Sequence, residues 1–94
     1  MIAREANRYF IEGPVTLHNV AQFLAEGATF EGTDLVVDFV RVTTVDSSAV
    51  SLILEWVRRF NNSGKKISFA HLTQSLRSLA ELYGVIDLIP IAAD

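Results

Sequence analysis

One strand followed by one long helix constrains the fold of this chain more than any other feature. Residues 35–40 are apolar except at Asp38, which predicts a central strand that is covered on both faces. A second apolar pattern predicts a helix from about Ser47 to Asn61, and this helix begins at the segment Asp46-Ser47-Ser48. The two elements together indicate a layered structure in which a helix packs on a sheet.

The other elements alternate between strand and helix patterns. They are a hairpin of residues 2–4 with 9–11, a helix capped by Thr16 and ended by Gly27, a strand at 67–70, a helix capped by Thr73 and ended by Gly84, and a last extended segment at 86–91. This order predicts an α/β fold with a small mixed sheet of four to five strands and about three to four helices. A chain of 94 residues predicts a single domain over residues 1–94.

Helical spacing predicts which side chains face the core. The predicted inward residues are Leu17, Val20, Ala21 and Leu24 in the first helix, Val50, Ile53, Val57 and Phe60 in the second, and Leu76, Leu79, Ala80 and Tyr83 in the third. Leu52 and Trp56 lie on a shoulder of the second helix. They are either core residues or anchors for a partner, since aromatic residues dominate binding hot spots.

Composition excludes several classes of function. Hydrophobic residues make up 50% of the chain, which is too many for a disordered protein. The net charge is −3 and is spread along the sequence, which argues against non-specific binding of nucleic acid, because that binding needs a concentrated basic face. No apolar run reaches the roughly 18 residues that cross a bilayer, and the first residues do not resemble a signal peptide. We therefore expect a cytoplasmic protein with no direct membrane insertion.

Residues that could support catalysis or metal binding are sparse. There is no cysteine, and neither His18 nor His71 has a second ligand at metal spacing. Phosphate-binding glycine motifs are absent, as is the Gly-x-Ser-x-Gly sequence of serine hydrolases. The sequence therefore predicts no enzyme, no cofactor and no metal.

Two polar segments remain as candidates for binding. Asp46 or Ser47 can cap the second helix, and Ser47 also fits a phosphorylation or contact site because a helix N-terminus favours added negative charge. A basic cluster of Arg58, Arg59, Lys65 and Lys66 either complements the end of that helix or receives an acidic partner or anionic head groups.

The central segment resembles the signature of STAS domains, the sulphate-transporter and anti-sigma-factor-antagonist domains. The similarity rests on residues 37–39 (Val-Asp-Phe) and 45–54 (Val-Asp-Ser-Ser-Ala-Val-Ser-Leu-Ile-Leu), and the order of the other elements extends it to essentially the whole chain. Residues 79–85 and 87–90, with the opening segment 9–16, are similar to the STAS subunit (MlaB-like) of bacterial Mla phospholipid transporters. The resemblance therefore implies the STAS fold.

The resemblance also implies a function. In the transporter branch, the STAS subunit is a non-catalytic adaptor that binds the cytoplasmic ATPase, and the residue after the aspartate, Ser47 here, contributes to that contact. We expect the contact to include Asp46, Ser47, Ser48, Leu52 and Trp56, and the protein to be peripheral to the inner membrane through its partner. A weak homodimer is compatible with an exposed apolar shoulder.

The alternative is an anti-sigma-factor antagonist, whose partner is an anti-sigma kinase that phosphorylates Ser47. Two departures weaken this alternative more than the transporter interpretation: Ala49 stands where antagonists usually have glycine, and Val40 stands where they have serine.

Overall fold

The computed structural model describes residues 1–92. The strands are β1 (Ile2–Glu5), β2 (Arg8–Ile11), β3 (Gly13–Val15), β4 (Asp34–Asp38), β5 (Val42–Val45) and β6 (Lys66–Ala70); the α-helices are α1 (Val20–Gly27), α2 (Ser47–Asn62) and α3 (Gln74–Leu82), followed by a 3-10 helix at Ile86–Leu88.

The main sheet has four strands in the order β1-β2-β4-β6, and a second sheet pairs β3 with β5. The β1–β2 hairpin is antiparallel, whereas β2–β4, β4–β6 and β3–β5 are parallel. This arrangement confirms the predicted mixed α/β fold and places β4 at the centre of the main sheet. β5 leads directly into α2 and carries the start of that helix to the edge of the fold.

One face of the main sheet forms the core with the three helices. Because side chains alternate along a strand, every second residue of β2, β4 and β6 faces the helices, and these residues are buried: Tyr9, Ile11, Leu35, Val37, Ile67 and Phe69. The predicted inward residues of α2 are buried as well: Val50, Ile53, Val57 and Phe60. α2 therefore lies over the centre of the structure and joins the core to both of its neighbouring helices.

The start of α1 differs from the prediction. Thr16 does not cap the helix; instead its backbone N–H donates to Asn19 Oδ1 at 2.8 Å, and the chain turns once before α1 begins at Val20. The turn directs Leu17 outward, where it is 72% exposed, so its predicted core position is wrong. Ala21 is also exposed, and Phe23 is buried in its stead.

In the C-terminal part, the structure confirms the predicted helix cap but differs from the prediction in two details. Thr73 caps α3 by accepting from the Leu76 N–H at 3.1 Å, as predicted. Tyr83 lies just past the last helical residue and is 52% exposed, because the helical spacing that would turn it inward has ended. The first half of the predicted extended segment at 86–91 is the 3-10 helix, and only Ile91 of the segment forms a bridge, to Phe69.

Candidate functional site

Asp46 builds the start of α2 and connects it to the turn before α1. Its Oδ1 accepts from the Ser48 N–H at 2.8 Å, which is the N-cap bond, and its Oδ2 accepts from the Leu17 N–H at 2.9 Å. These two backbone donors, Leu17 first, hold the pKa of Asp46 below its ordinary value. The Asp46 carboxylate is therefore ionised at neutral pH, and its two hydrogen bonds hold the start of α2 against the turn before α1.

Ser47 and Ser48 stand at the exposed tip that Asp46 fixes. Ser47 is exposed, and its hydroxyl makes no hydrogen bond within the described part of the chain; Ser48 is half-buried. The first N–H groups of a helix lack partners inside the helix, so this tip attracts acceptors and negative charge. The structure thus brings three of the five predicted site residues, Asp46, Ser47 and Ser48, to one place.

Two depressions flank this tip. One, of about 360 Å³, is lined by Ser47, Ser48, Val50, Ser51, Leu54, Tyr83 and Val85. The other, of about 440 Å³, lies towards α1 and is lined by Leu17, Val20, Leu24, Ser48, Ser51, Leu52, Glu55 and Arg59. Ser48 and Ser51 line both depressions and therefore form a ridge between them. We call the surface made by Leu17, Ser47, Ser48, Ser51 and Tyr83 the α2 corner.

Leu17 and Tyr83 are members of the α2 corner that the sequence placed in the core. Each is a large apolar or aromatic side chain that lies exposed beside the serines. The signals for their outward positions are local: Asn19 closes a turn around Leu17, and Gly84 adopts a positive φ of 71° immediately after Tyr83. Glycine adopts this conformation readily, and it commonly ends a helix.

Leu52 and Trp56 are not exposed members of this surface, although Leu52 lies at the floor of the second depression. They are 0% and 1% exposed, respectively, so the expectation that they contact a partner directly is corrected. Their shoulder of α2 is covered because α1 and the loop after it pack against it: the Phe30 ring lies 5.2 Å from the Trp56 ring, and the last residue of α1, Gly27, lies against the indole. Both residues are core.

A second polar cluster lies at the carboxyl end of β4. Asp38 is only 2% exposed, and its carboxylate accepts from Arg8 Nε at 3.0 Å and from the Val40 N–H at 2.8 Å, with His71 Nδ1 at 3.1 Å. Burial alone raises the pKa of Asp38, but hydrogen bonds from Val40, Arg8 and His71 outweigh it and leave the pKa below its ordinary value. Because its acceptors are used internally, we assign this cluster to the support of the sheet.

Comparison with known proteins identifies the class to which this architecture belongs. The family model described as "Mlab, STAS domain" matches residues 3–90. The chain therefore belongs to the STAS-domain family, in its MlaB-like group. A comparison with curated proteins finds no significant match.

Solved structures agree on the fold. The anti-sigma factor antagonist SpoIIAA in its unphosphorylated form has a TM-score of 0.73 at 18% identity, covering 100% of this chain and 88% of that one. A serine-to-glutamate variant of RsbS from Moorella thermoacetica has a TM-score of 0.67 at 17% identity, covering 100% and 86%. The STAS domain of the SulP transporter from Vibrio cholerae has a TM-score of 0.63 at 15% identity, covering 93% and 71%.

Within residues 1–92, no helix combines the length and the apolar character needed to cross a bilayer.

Proposed function

We propose that this protein is a non-catalytic STAS adaptor subunit that binds and supports the cytoplasmic ATPase of an Mla-type intermembrane phospholipid ABC transport system. The observation that carries the proposal is the α2 corner, in which exposed Ser47 is flanked by exposed Leu17 and Tyr83. The MlaB-like family match favours the transporter system as the setting. In this setting the protein is cytoplasmic and reaches the inner membrane only through its partner.

The chemistry of the α2 corner suits binding to a protein surface. Large apolar side chains supply most of the free energy of an interface when they are buried, and a few of them dominate it. The serine hydroxyls between them donate or accept hydrogen bonds without the desolvation cost of a charge. Asp46 fixes the turn of Leu17 to the start of α2, so the surface is largely ordered before the partner arrives, which lowers the entropic cost of binding.

The experiment is a pull-down from native membranes with the wild-type protein and with Ser47→Glu. We expect the wild type to recover an ABC ATPase and Ser47→Glu to lose it, because a glutamate in the interface would be desolvated on binding. Ser75→Glu is the matched control: Ser75 is also exposed in the first turn of a helix, α3, but it lies outside the α2 corner. Equal recovery of the ATPase by all three proteins would contradict the proposal.

One observation favours a second candidate, an anti-sigma-factor antagonist regulated by phosphorylation of Ser47. The Ser47 hydroxyl is exposed and lies at a helix N-terminus, where a phosphate is electrostatically tolerated within the domain. In the same pull-down, this alternative predicts recovery of a protein kinase that transfers phosphate from ATP to the wild-type protein and not to the Ser47→Ala variant. That result would replace the transporter assignment.

A further inference from the structure

A depression at the opposite end of α2 has features that the α2 corner does not use. It lies beside the last turns of α1 and α2, and its volume is about 440 Å³, within the range of small-molecule sites. Trp56 and Phe60 supply its aromatic lining, and Arg59 and Lys65 supply two cations. Its α2 residues run from Trp56 to Asn62, so the depression lies about 14 to 22 Å along the helix from Ser47.

The indole of Trp56 carries an unused hydrogen-bond donor at this depression. Trp56 is 1% exposed, and its Nε1 has no hydrogen-bond partner among residues 1–92. The nitrogen lies against Gly27, which also lines the depression: a Cβ on Gly27 would be only 2.2 Å from it. A buried N–H without an acceptor costs free energy, so an acceptor supplied by a ligand would recover that cost.

The two cations keep hydrogen-bond donors that local structure does not use. Arg59 forms a salt bridge with Glu55 through Nε at 2.8 Å, and its two terminal nitrogens donate no hydrogen bond within the described residues. Lys65 is half-buried, and its ammonium has no ion pair there either. The last carbonyls of α2 already accept from the N–H groups of Ser63, Gly64 and Lys65, so the Lys65 side chain is not needed to cap the helix.

We propose that this depression binds a small organic anion that combines a carboxylate or phosphate with an apolar body. The anionic group would lie between Arg59 and Lys65. The Trp56 N–H has less than 1 Å² of accessible surface beside Gly27, so an acceptor oxygen would reach it as the end of α1 moves aside on binding. The apolar body would pack on Trp56 and Phe60. This site does not depend on the transporter assignment, and it shares only Arg59 with the depression between α1 and the start of α2.

The test uses the only tryptophan of the chain as the reporter. The full chain is titrated with phenyl phosphate while Trp56 emission is followed, and inorganic phosphate and phenol are titrated in parallel. We expect saturable binding of phenyl phosphate that is at least tenfold tighter than either half-molecule. Absence of a saturable emission change, or equal affinity for phenyl phosphate and inorganic phosphate, would overturn the proposal.

Variants locate the site. Lys65→Glu should weaken phenyl phosphate binding at least tenfold, whereas Lys66→Glu should change it less than twofold, because Lys66 is exposed and does not line the depression. Trp56→Phe keeps an aromatic ring but removes the N–H, and isothermal titration should show about tenfold weaker binding, typical of one hydrogen bond to a charged acceptor. Equal effects of Lys65→Glu and Lys66→Glu would show general charge screening and would overturn the site.

Discussion

At the scale of single residues, two aspartates at the ends of β4 and β5 stabilise the backbone that follows them through hydrogen bonds to their carboxylates. Asp38 and Asp46 both have a lowered pKa, and each carboxylate accepts from a backbone N–H two residues further along the chain, Val40 and Ser48 respectively. They differ in surroundings: Asp38 is buried with Arg8 and His71, whereas Asp46 lies at the surface beside Ser47. The first supports the sheet and the second positions the α2 corner.

The buried carboxylate gives a pH prediction. Asp38 titrates below its unfolded pKa of about 3.9, so its contribution to stability is present above that pH and is lost as the pH falls through the folded pKa. Asp38→Asn should lower the free energy of unfolding by about 2–3 kcal/mol at pH 7, a value reduced from that of a fully buried pair because Arg8 and His71 are partly exposed.

Urea denaturation at pH 7 and at pH 2.5 checks this value. The difference between wild type and Asp38→Asn should shrink at the lower pH, where wild-type Asp38 is itself becoming protonated. A difference that stays constant between the two pH values would show that the ionised carboxylate contributes nothing, and that only the shape of the side chain matters.

At the scale of elements, the sequence predicted what periodicity and capping residues determine. The β1–β2 hairpin, the central position of β4, the extent of α2 and the Thr73 cap follow from alternation, apolar runs and N-cap chemistry, all of which are local. The features that the sequence could not predict depend on contacts between residues that are distant along the chain. The shoulder of α2 is buried only because Phe30 and Gly27 arrive there from another part of the chain.

The same locality explains the two outward residues of the α2 corner. Helical spacing places Leu17 and Tyr83 inward only if the helices extend to them, and neither helix does. A hydrogen bond from the Thr16 N–H to Asn19 Oδ1 fixes where α1 begins, and Gly84 with its positive φ fixes where α3 ends. The serine centre of the corner was therefore predictable, whereas its apolar flanks were not.

The burial of Trp56 changes what its removal should do. Trp56→Ala should lower the free energy of unfolding by about 3–5 kcal/mol, because it leaves a cavity at the contact between α1 and α2. Chemical denaturation followed by circular dichroism measures this loss, with Leu88→Ala as the control because Leu88 is 60% exposed. A midpoint for Trp56→Ala equal to that of the control would contradict a core role.

At the scale of the whole molecule, the fold works as a rigid support for one corner. The main sheet and α2 form the core, and the turn before α1, the start of α2 and the end of α3 meet at the edge beside it. Asp46 ties two of these segments together through Leu17 and Ser48. The same helix carries the proposed anion site towards its other end, so two surfaces of different chemistry lie along α2: hydroxyl-bearing and apolar at its start, cationic and aromatic at its end.

The central claim is that the α2 corner is the surface that binds the transporter ATPase. The most direct test is the Kd of the purified protein for the purified Mla-type ATPase, measured for wild type, Leu17→Ala and Leu88→Ala. Both leucines are largely exposed, so neither truncation should disturb the core, but only Leu17 lies in the corner. The account predicts about a tenfold weaker Kd for Leu17→Ala, the size of a typical hot-spot loss, and no change for Leu88→Ala. Equal Kd values for the three proteins, or a loss confined to Leu88→Ala, would contradict it.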